Sequence, residues 1–279
     1  MIHPGNQQCV LSCLATDLDG TLIPLAESAE HHRDLRLLED LLSDCKMSLV
    51  FVTGRHIASV RSAIAEYQLP IPRWILCDVG TSAFERRDDG QFYLIQQYAD
   101  QLHAIVGGVA QTELLQTVAS VPHLRLQEPE KQAQFKTSFY APAERLHGVI
   151  AVVADRLSQS KMPCQIISSL DPFTGIGLID LLPLGVSKAF ALDWWCREQN
   201  LSPQAVIFAG DSGNDVEAFN AGYRTIIVGN TPATVFESVQ KTHLAADWPD
   251  RLFHASQHAT SGVLEGVRHY LSGRTGSDS

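Results

Sequence analysis

Short apolar runs alternate with amphipathic stretches along the first third of the chain. Val10–Thr16, Ser48–Thr53 and Arg73–Asp78 are each rich in apolar residues and are predicted to be buried strands. Ala29–Leu42 places leucines three and four residues apart, and His56–Gln68 ends just before two prolines, so both are predicted to be helices. Strands that alternate with helices in this way are typical of a parallel sheet with crossover connections.

The same alternation returns near the end of the chain. The predicted elements there are the helices Val186–Glu198, Asp215–Ala221 and Val263–Leu271 and the strands Ala205–Ala209 and Thr225–Val228. Together, the two ends predict an α/β protein with a doubly wound parallel sheet.

The middle of the chain has a different pattern. Asp88–Gly90 is a turn signal between short strands, which indicates a hairpin. Two strand–helix–strand stretches follow; their predicted elements are the helices Tyr98–Ala119 and Ala143–Ser158 and the strands Leu124–Gln127, Gln134–Tyr140, Cys164–Ser168 and Leu178–Leu182. We therefore expect a discontinuous core domain of residues 1–85 and 184–279, with an α+β domain of residues 86–183 inserted into it.

Composition narrows the class of protein. The chain has 279 residues, 45% of them hydrophobic and 19% charged, which is typical of a globular protein with two domains or one domain and a large insertion. The formal net charge of -10 argues against general binding of nucleic acid, although it does not exclude a local pocket for a small anion.

Cysteine usage and hydropathy indicate where the protein works. The six cysteines are scattered and form no C-x-x-C pair, which favours free thiols in a reducing compartment. No apolar run approaches the roughly 18 residues of a membrane-spanning helix. Met1–Gln8 contains no Lys or Arg, so the basic start of a signal peptide is missing. We expect a cytoplasmic protein that does not contact the membrane.

Two carboxylates follow the first predicted strand directly, in the segment Asp17–Thr21. Ligands of open α/β sheets bind beyond the carboxyl ends of the strands. An ionised carboxylate can attack phosphorus without a helper base, and a second carboxyl two residues on can protonate the leaving group. Asp17 and Asp19 are therefore candidates for a nucleophile and a general acid/base.

Three further segments suit the same chemistry. Thr53 and Gly54 end a strand and open a helix, which is a natural seat for phosphate. Lys188 begins another helix and can neutralise charge on a transferring group. Gly210–Asp215 follows a strand and supplies oxygen ligands suited to Mg²⁺. Each segment alone also has a structural explanation, as exposed loop aspartates, a helix N-cap, a surface lysine or a polar turn.

In this order, the four segments resemble those of the haloacid dehalogenase superfamily of phosphotransferases. The resemblance implies Asp17 as the nucleophile and Asp19 as the general acid/base. It implies phosphate binding by Thr53, Gly54 and Lys188. It also implies Mg²⁺ held by Asp17, Asp19 and Asp211, with Asp215 as a further ligand or in the surrounding shell. The inserted domain resembles the smaller form of this superfamily's type C2 cap, C2B.

A closer resemblance, to sucrose-phosphatases, extends over nearly the whole chain. It rests on Asp78–Thr81, Gln134–Tyr140, Ile179–Pro183, Gly210–Asp215 and His258–Gly266. It implies sugar binding by Lys136, and Asn214 is a further candidate for contact with the substrate. Ser168–Gly177 is longer than the family's usual connection and lacks its lysine, which leaves the identity of the sugar open.

The expected function is Mg²⁺-dependent hydrolysis of a sugar phosphate, with sucrose 6-phosphate as the first candidate. Mannosylfructose-phosphate phosphatases resemble the chain almost as well. A phosphomutase would need the same four segments. A regulatory module that docks on a sugar-phosphate synthase is the alternative that is not an enzyme, and such docking could also accompany catalysis.

Overall fold

The computed structural model describes residues 11–26, 28–171 and 174–272, so Val10 lies outside it. Its strands are β1 (Cys13–Thr16), β2 (Ser48–Val52), β3 (Trp74–Cys77), β4 (Ser82–Arg86), β5 (Phe92–Leu94), β6 (Arg125–Leu126), β7 (Thr137–Ala141), β8 (Cys164–Leu170), β9 (Gly177–Pro183), β10 (Val206–Gly210), β11 (Arg224–Ile227) and β12 (Leu252–His254). Its α-helices are α1 (His31–Asp44), α2 (Ile57–Glu66), α3 (Gln96–Val106), α4 (Gln111–Val118), α5 (Leu146–Gln159), α6 (Lys188–Glu198), α7 (Val216–Phe219), α8 (Ala233–Ala245) and α9 (Ala259–Ser272).

The larger of two sheets has eight strands in the order β12-β11-β10-β1-β2-β3-β4-β5. The six strands from β12 to β3 run parallel, and β4 and β5 extend the sheet as antiparallel strands. The chain leaves β1 towards β2 on one side and returns through β10 on the other, which creates a switch point at the carboxyl end of β1. The prediction of a doubly wound α/β core is confirmed.

Helices cover both faces of the larger sheet. On one face, α1, α2 and α9 bury side chains such as Leu38, Val60 and Val263 against the strands. On the other face, α3, α6, α7 and α8 do the same, with Trp195 and Phe219 among the largest buried groups. Because the central strands are covered on both faces, they consist mainly of apolar residues.

The smaller sheet is entirely antiparallel and has the order β6-β7-β9-β8. Phe139, Ile179 and Leu181 point from one of its faces into a separate apolar cluster with α4 and α5. Strand residues alternate between faces, so Lys136, Ser138 and Asp180 belong to the opposite face. This arrangement agrees with the predicted α+β insertion.

Several elements differ from the predictions. The hairpin strand β5 pairs with the larger sheet, so Phe92–Leu94 extend that sheet although they lie within the predicted insertion. The domain limits as such stay a prediction. The stretch Tyr98–Ala119 forms two helices because Gly107 and Gly108 have positive φ angles of 62° and 87°. Helix α8 and strand β12 are further elements of the structure.

A tight turn after β3 holds three consecutive residues with positive φ, namely Asp78 at 54°, Val79 at 57° and Gly80 at 92°. Positive φ is uncommon for any residue with a side chain and is a genuine outlier for a β-branched one. Backbone bonds from Asp78 N to Arg55 O (3.0 Å) and from Val79 N to Thr53 O (3.1 Å) fix the turn. The turn therefore ties β3 to the loop that follows β2.

The Gly80→Ala substitution is expected to destabilise the fold strongly, because a Cβ there would lie 2.1 Å from the Ser187 carbonyl oxygen. Gly90→Ala is the matched control, since its φ is +80° but the nearest atom to its added Cβ is 3.6 Å away. We expect Gly90→Ala to cost about 1 kcal/mol of unfolding free energy for the left-handed backbone. Gly80→Ala should cost about 3 kcal/mol or more. Equal costs in urea denaturation would contradict this account of the turn.

Candidate active site

The candidate site lies at the carboxyl ends of β1 and β10. The amide of Asp17 donates to the carbonyl of Ala209 at 2.9 Å, which continues the parallel ladder to the first residue beyond β1. Both strands are fully buried. Their rigid ends therefore place Asp17 and Asp211 next to each other at the switch point.

A buried lysine joins two of the carboxylates. Lys188 Nζ lies 2.9 Å from Asp17 Oδ2 and 2.8 Å from Asp215 Oδ1, and the lysine is completely shielded from solvent. Ser187 caps the helix that begins at Lys188 by accepting from the amide of Phe190. The opposite charges of both carboxylates raise the pKa of Lys188 against the effect of burial, so it stays a cation.

The other oxygen of Asp215 supports the loop in which it stands. Asp215 Oδ2 accepts from the backbone amides of Asp211 at 3.1 Å and Ser212 at 3.0 Å. Ser212 and Asp215 form a capping box at the start of the short helix. Asp215 thus fixes the backbone of the loop and positions Lys188.

Asp211 sits among polar groups from three separate segments. Its Oδ1 accepts from Thr21 Oγ1 at 3.0 Å, and its Oδ2 lies 3.5 Å from Asn230 Nδ2. The same amide of Asn230 donates to the carbonyl of Gly20 at 2.8 Å. A Cβ on Gly20 would meet Asp211 Oδ2 at 2.2 Å, so only glycine permits this approach.

The three carboxylates fit a divalent cation. Among the described residues, Asp17, Asp211 and Asp215 each offer an oxygen within 4.8 Å of the others. Burial, followed by the charge of neighbouring carboxylates, raises the pKa of Asp211 to about 8. Burial also raises the pKa of Asp17 to about 7, although Lys188 opposes the shift. One ammonium leaves this cluster short of positive charge, and carboxylate oxygens are the ligands that Mg²⁺ prefers.

Asp19 has a different environment from Asp17. Arg55 donates from Nε to Asp19 Oδ2 at 2.7 Å and from Nη2 to Asp19 Oδ1 at 2.6 Å. Such a bidentate pair fixes both oxygens and the plane of the carboxylate. The two carboxylates of the first loop therefore have separate partners, a lysine for one and an arginine for the other.

The predicted phosphate seat lies beside these groups. Thr53 is buried, and its hydroxyl accepts from the amide of Arg55 at 3.2 Å. Lys136 reaches from the insertion to within 3.4 Å of the Gly54 carbonyl oxygen. Asn214 Nδ2 would lie 3.8 Å from a Cβ on Gly54. The insertion thus forms one wall of the site.

The structure brings the predicted residues from both ends of the chain into one region. The roles assigned to them stay predictions. Sequence reasoning gave no role to Arg55, Asn230 or Asp78. Arg55 and Asp78 each follow a predicted strand closely. Asn230 comes shortly after Thr225–Val228, so its place near the carboxyl end of a strand was a usable signal.

Comparison with known proteins agrees with this geometry. The family described as sucrose-6F-phosphate phosphohydrolase matches residues 10–271. A protein of Nitrosococcus oceani named as a HAD-like hydrolase is 34% identical over 95% of this chain and 72% of its own length. The mannosylfructose-phosphate phosphatase of Agrobacterium fabrum is 27% identical over 93% of this chain and 97% of its own length. The sucrose-phosphatase of Synechocystis sp. PCC6803, solved with sucrose and phosphate, is 25% identical, with a TM-score of 0.77 over 93% of this chain and 98% of that one.

The fold and these matches define a phosphatase of the haloacid dehalogenase superfamily. Within it, the chain belongs to the sucrose-6F-phosphate phosphohydrolase family. The predictions of the superfamily, the fold class and a sugar phosphatase are confirmed. None of the helices in residues 11–26, 28–171 and 174–272 has the length and apolarity to cross a bilayer.

Stability of the metal-free protein is expected to fall as the pH rises from about 4 to about 8. Between the ordinary carboxyl pKa and the raised values of about 7 for Asp17 and about 8 for Asp211, the native state holds protons that the unfolded chain has released. Raising the pH therefore favours unfolding in this window. Urea denaturation in chelator measures the effect, and added Mg²⁺ should restore stability most strongly at the higher pH.

Asp211→Asn removes one of the crowded carboxylates and should flatten this pH dependence. Asp88→Asn changes an exposed aspartate and serves as the control for a simple change in net charge. A pH slope that is the same in wild type and Asp211→Asn would contradict the electrostatic account of the cluster.

Proposed function

We propose that the protein hydrolyses a sugar phosphate, sucrose 6-phosphate in the first instance, through a covalent phosphate on Asp17. One observation carries the proposal. The Asp17 carboxylate is buried 2.9 Å from a fully buried lysine, at the strand end where Asp19, Thr53 and Asp211 also lie. A carboxylate nucleophile needs a cation on its own oxygen and further positive charge for the incoming phosphate.

In the first step, Asp17 Oδ1 attacks phosphorus, because Oδ2 is held by Lys188. A bond forms between Asp17 and phosphorus while the bond from phosphorus to the sugar oxygen breaks. Thr53 and the amides around Gly54 bind the phosphate oxygens at the start of α2. In the second step, water attacks the phosphorus of the acyl phosphate, which returns Asp17 as a carboxylate and releases phosphate.

Asp19 moves the protons in this scheme. It gives a proton to the departing sugar oxygen and later takes one from the attacking water. Arg55 holds the Asp19 carboxylate through two hydrogen bonds, which suits the second of these tasks. Donation to the sugar oxygen requires Asp19 to be protonated and to loosen its contact with Arg55.

Asp17, Asp211 and the backbone carbonyl of Asp19 would hold Mg²⁺, with Asp215 beside them. Bound there, the ion supplies positive charge that offsets the repulsion between phosphate and the carboxylates. The crowding of Asp17, Asp211 and Asp215 around a single ammonium supports this assignment.

The choice of sugar draws on relatives. The Synechocystis enzyme, with a TM-score of 0.77, was solved with sucrose and phosphate, which supports sucrose 6-phosphate. The Agrobacterium relative acts on mannosylfructose phosphate by its name, and its match covers 97% of its length. That makes mannosylfructose phosphate the second candidate. Action as a phosphomutase, docking on a synthase and a cytoplasmic location stay predictions.

A phosphate-release screen with Mg²⁺ tests the substrate. It compares sucrose 6-phosphate, mannosylfructose phosphate, trehalose 6-phosphate, simple hexose phosphates and phosphoglycolate. We expect the highest kcat/KM with sucrose 6-phosphate and no isomerised sugar phosphate among the products. A preference for phosphoglycolate, or product that is isomerised and not hydrolysed, would overturn the proposal.

The Asp17→Asn variant is expected to lose at least about 10³-fold in kcat, because the amide is a poor nucleophile. Its thermal stability should stay near that of the wild type or rise, since one of three crowded carboxylates is removed. Asp34→Asn is the control, because Asp34 is a buried aspartate that bonds to Ser261 and lies outside the candidate site. Retention of activity in Asp17→Asn would rule out its role as nucleophile.

A further inference from the structure

A second buried ion pair lies apart from the carboxylate cluster. Lys136 Nζ lies 3.2 Å from Asp78 Oδ1, and both residues are about 5% exposed or less. Lys136 belongs to the insertion, whereas Asp78 belongs to the turn after β3. The pair therefore crosses the joint between the two sheets.

The position of the pair relates it to the substrate. Lys136 Nζ is 3.4 Å from the carbonyl oxygen of Gly54, in the predicted phosphate seat. The amide of Asp78 donates to the carbonyl of Arg55 at 3.0 Å, so its backbone is fixed to the same loop. The part of a substrate that lies beyond its phosphate, towards the insertion, would meet Asp78 and Lys136.

The backbone at Asp78 is strained to place the carboxylate there. Asp78 and Val79 both have positive φ, and strain of this kind persists where the surroundings hold it in place. Tyr98 donates to the carbonyl of Gly80 at 2.5 Å, and Gly80 packs against the Ser187 carbonyl. The turn is anchored on several sides, so the Asp78 carboxylate has little freedom to leave the joint.

The pair offers an acceptor and a donor side by side. Lys136 is within ion-pair distance of Asp78 Oδ1, but among the described residues no donor is aligned for a hydrogen bond on that oxygen. The ammonium has three donors, and its contact with Gly54 is long. A hydroxyl group both donates and accepts, so it can bond to both partners at once.

We propose that Asp78 is a specificity residue that neutralises Lys136 and makes this part of the site select a neutral, hydroxylated leaving group over an anionic one. This inference rests on the proposed function. A lone buried ammonium would attract a second phosphate or a carboxylate on the substrate. Beside it, the carboxylate of Asp78 removes that attraction and repels a second anion. Because both residues are shielded, the insertion must move for the leaving group to reach them.

The test compares two ligands of the same length and different charge. Glucitol 6-phosphate carries a terminal hydroxymethyl group where 6-phosphogluconate carries a carboxylate. Each is measured as a competitive inhibitor of the best substrate from the phosphate-release screen, so neither needs to be turned over. The quantity compared between variants is the ratio of the two inhibition constants, with Mg²⁺ present.

In wild type, glucitol 6-phosphate should be the tighter inhibitor. In Asp78→Asn, the ratio should shift at least about tenfold towards 6-phosphogluconate, and KM for the neutral substrate should rise more than kcat falls. Asparagine tolerates the left-handed backbone at least as well as aspartate, so the variant should keep the melting temperature of the wild type to within a few degrees. In the double variant Asp78→Asn/Lys136→Met, the shift should disappear, because the freed cation is gone.

Asp88→Asn, an exposed aspartate, controls for net charge and should leave the ratio unchanged. An unchanged ratio in Asp78→Asn, or no detectable inhibition by 6-phosphogluconate in that variant, overturns the inference. A shift that persists in the double variant also overturns it, since Lys136 would not be its source. These outcomes differ from failure of the proposed function, in which wild type releases no phosphate from any sugar phosphate.

Discussion

The site depends on burying three carboxylates around one ammonium. Lys188 contacts Asp17 and Asp215 directly, and Asp211 has only neutral polar partners among its described contacts. Desolvation and mutual repulsion make this arrangement unfavourable without further positive charge. The fold holds it together because rigid buried strands carry Asp17 and Asp211, and because the capped loop before α7 fixes Asp215. The same shortage of positive charge attracts a cation and a phosphate group.

A second charged pair connects the core to the insertion. Asp78 and Lys136 are each provided by a different sheet, and the strained turn at residues 78–80 sets the position of the carboxylate. The two ion pairs divide the site in a simple way. The cluster around Lys188 faces the phosphate, and the pair at the joint faces the remainder of the substrate. This division allows the chemistry to stay constant while the joint determines which leaving group is accepted.

Local patterns predicted much of the fold. Strands such as Ser48–Val52 were recognisable because burial on both faces requires continuous apolar runs, and the leucines of α1 showed the helical period. The edges were harder to predict. Strand β12 has only three residues, and the pairing of β5 with the larger sheet depends on contacts that no local pattern encodes. Two adjacent glycines divided a predicted helix, since both residues take positive φ.

The sequence by itself determined which residue types follow which strands, and therefore which side chains can meet at the carboxyl edge of a parallel sheet. Asp17, Thr53, Lys188 and Asp211 could be selected on that ground because strand order and the direction of the chain restrict where loops converge. Only the tertiary structure decided the partners. The bond of Arg55 to Asp19, the bridge of Asn230 from Gly20 to Asp211, and the pairing of Asp78 with Lys136 join residues far apart in the chain. Their formation depends on distances of a few ångströms, which packing sets and sequence spacing does not.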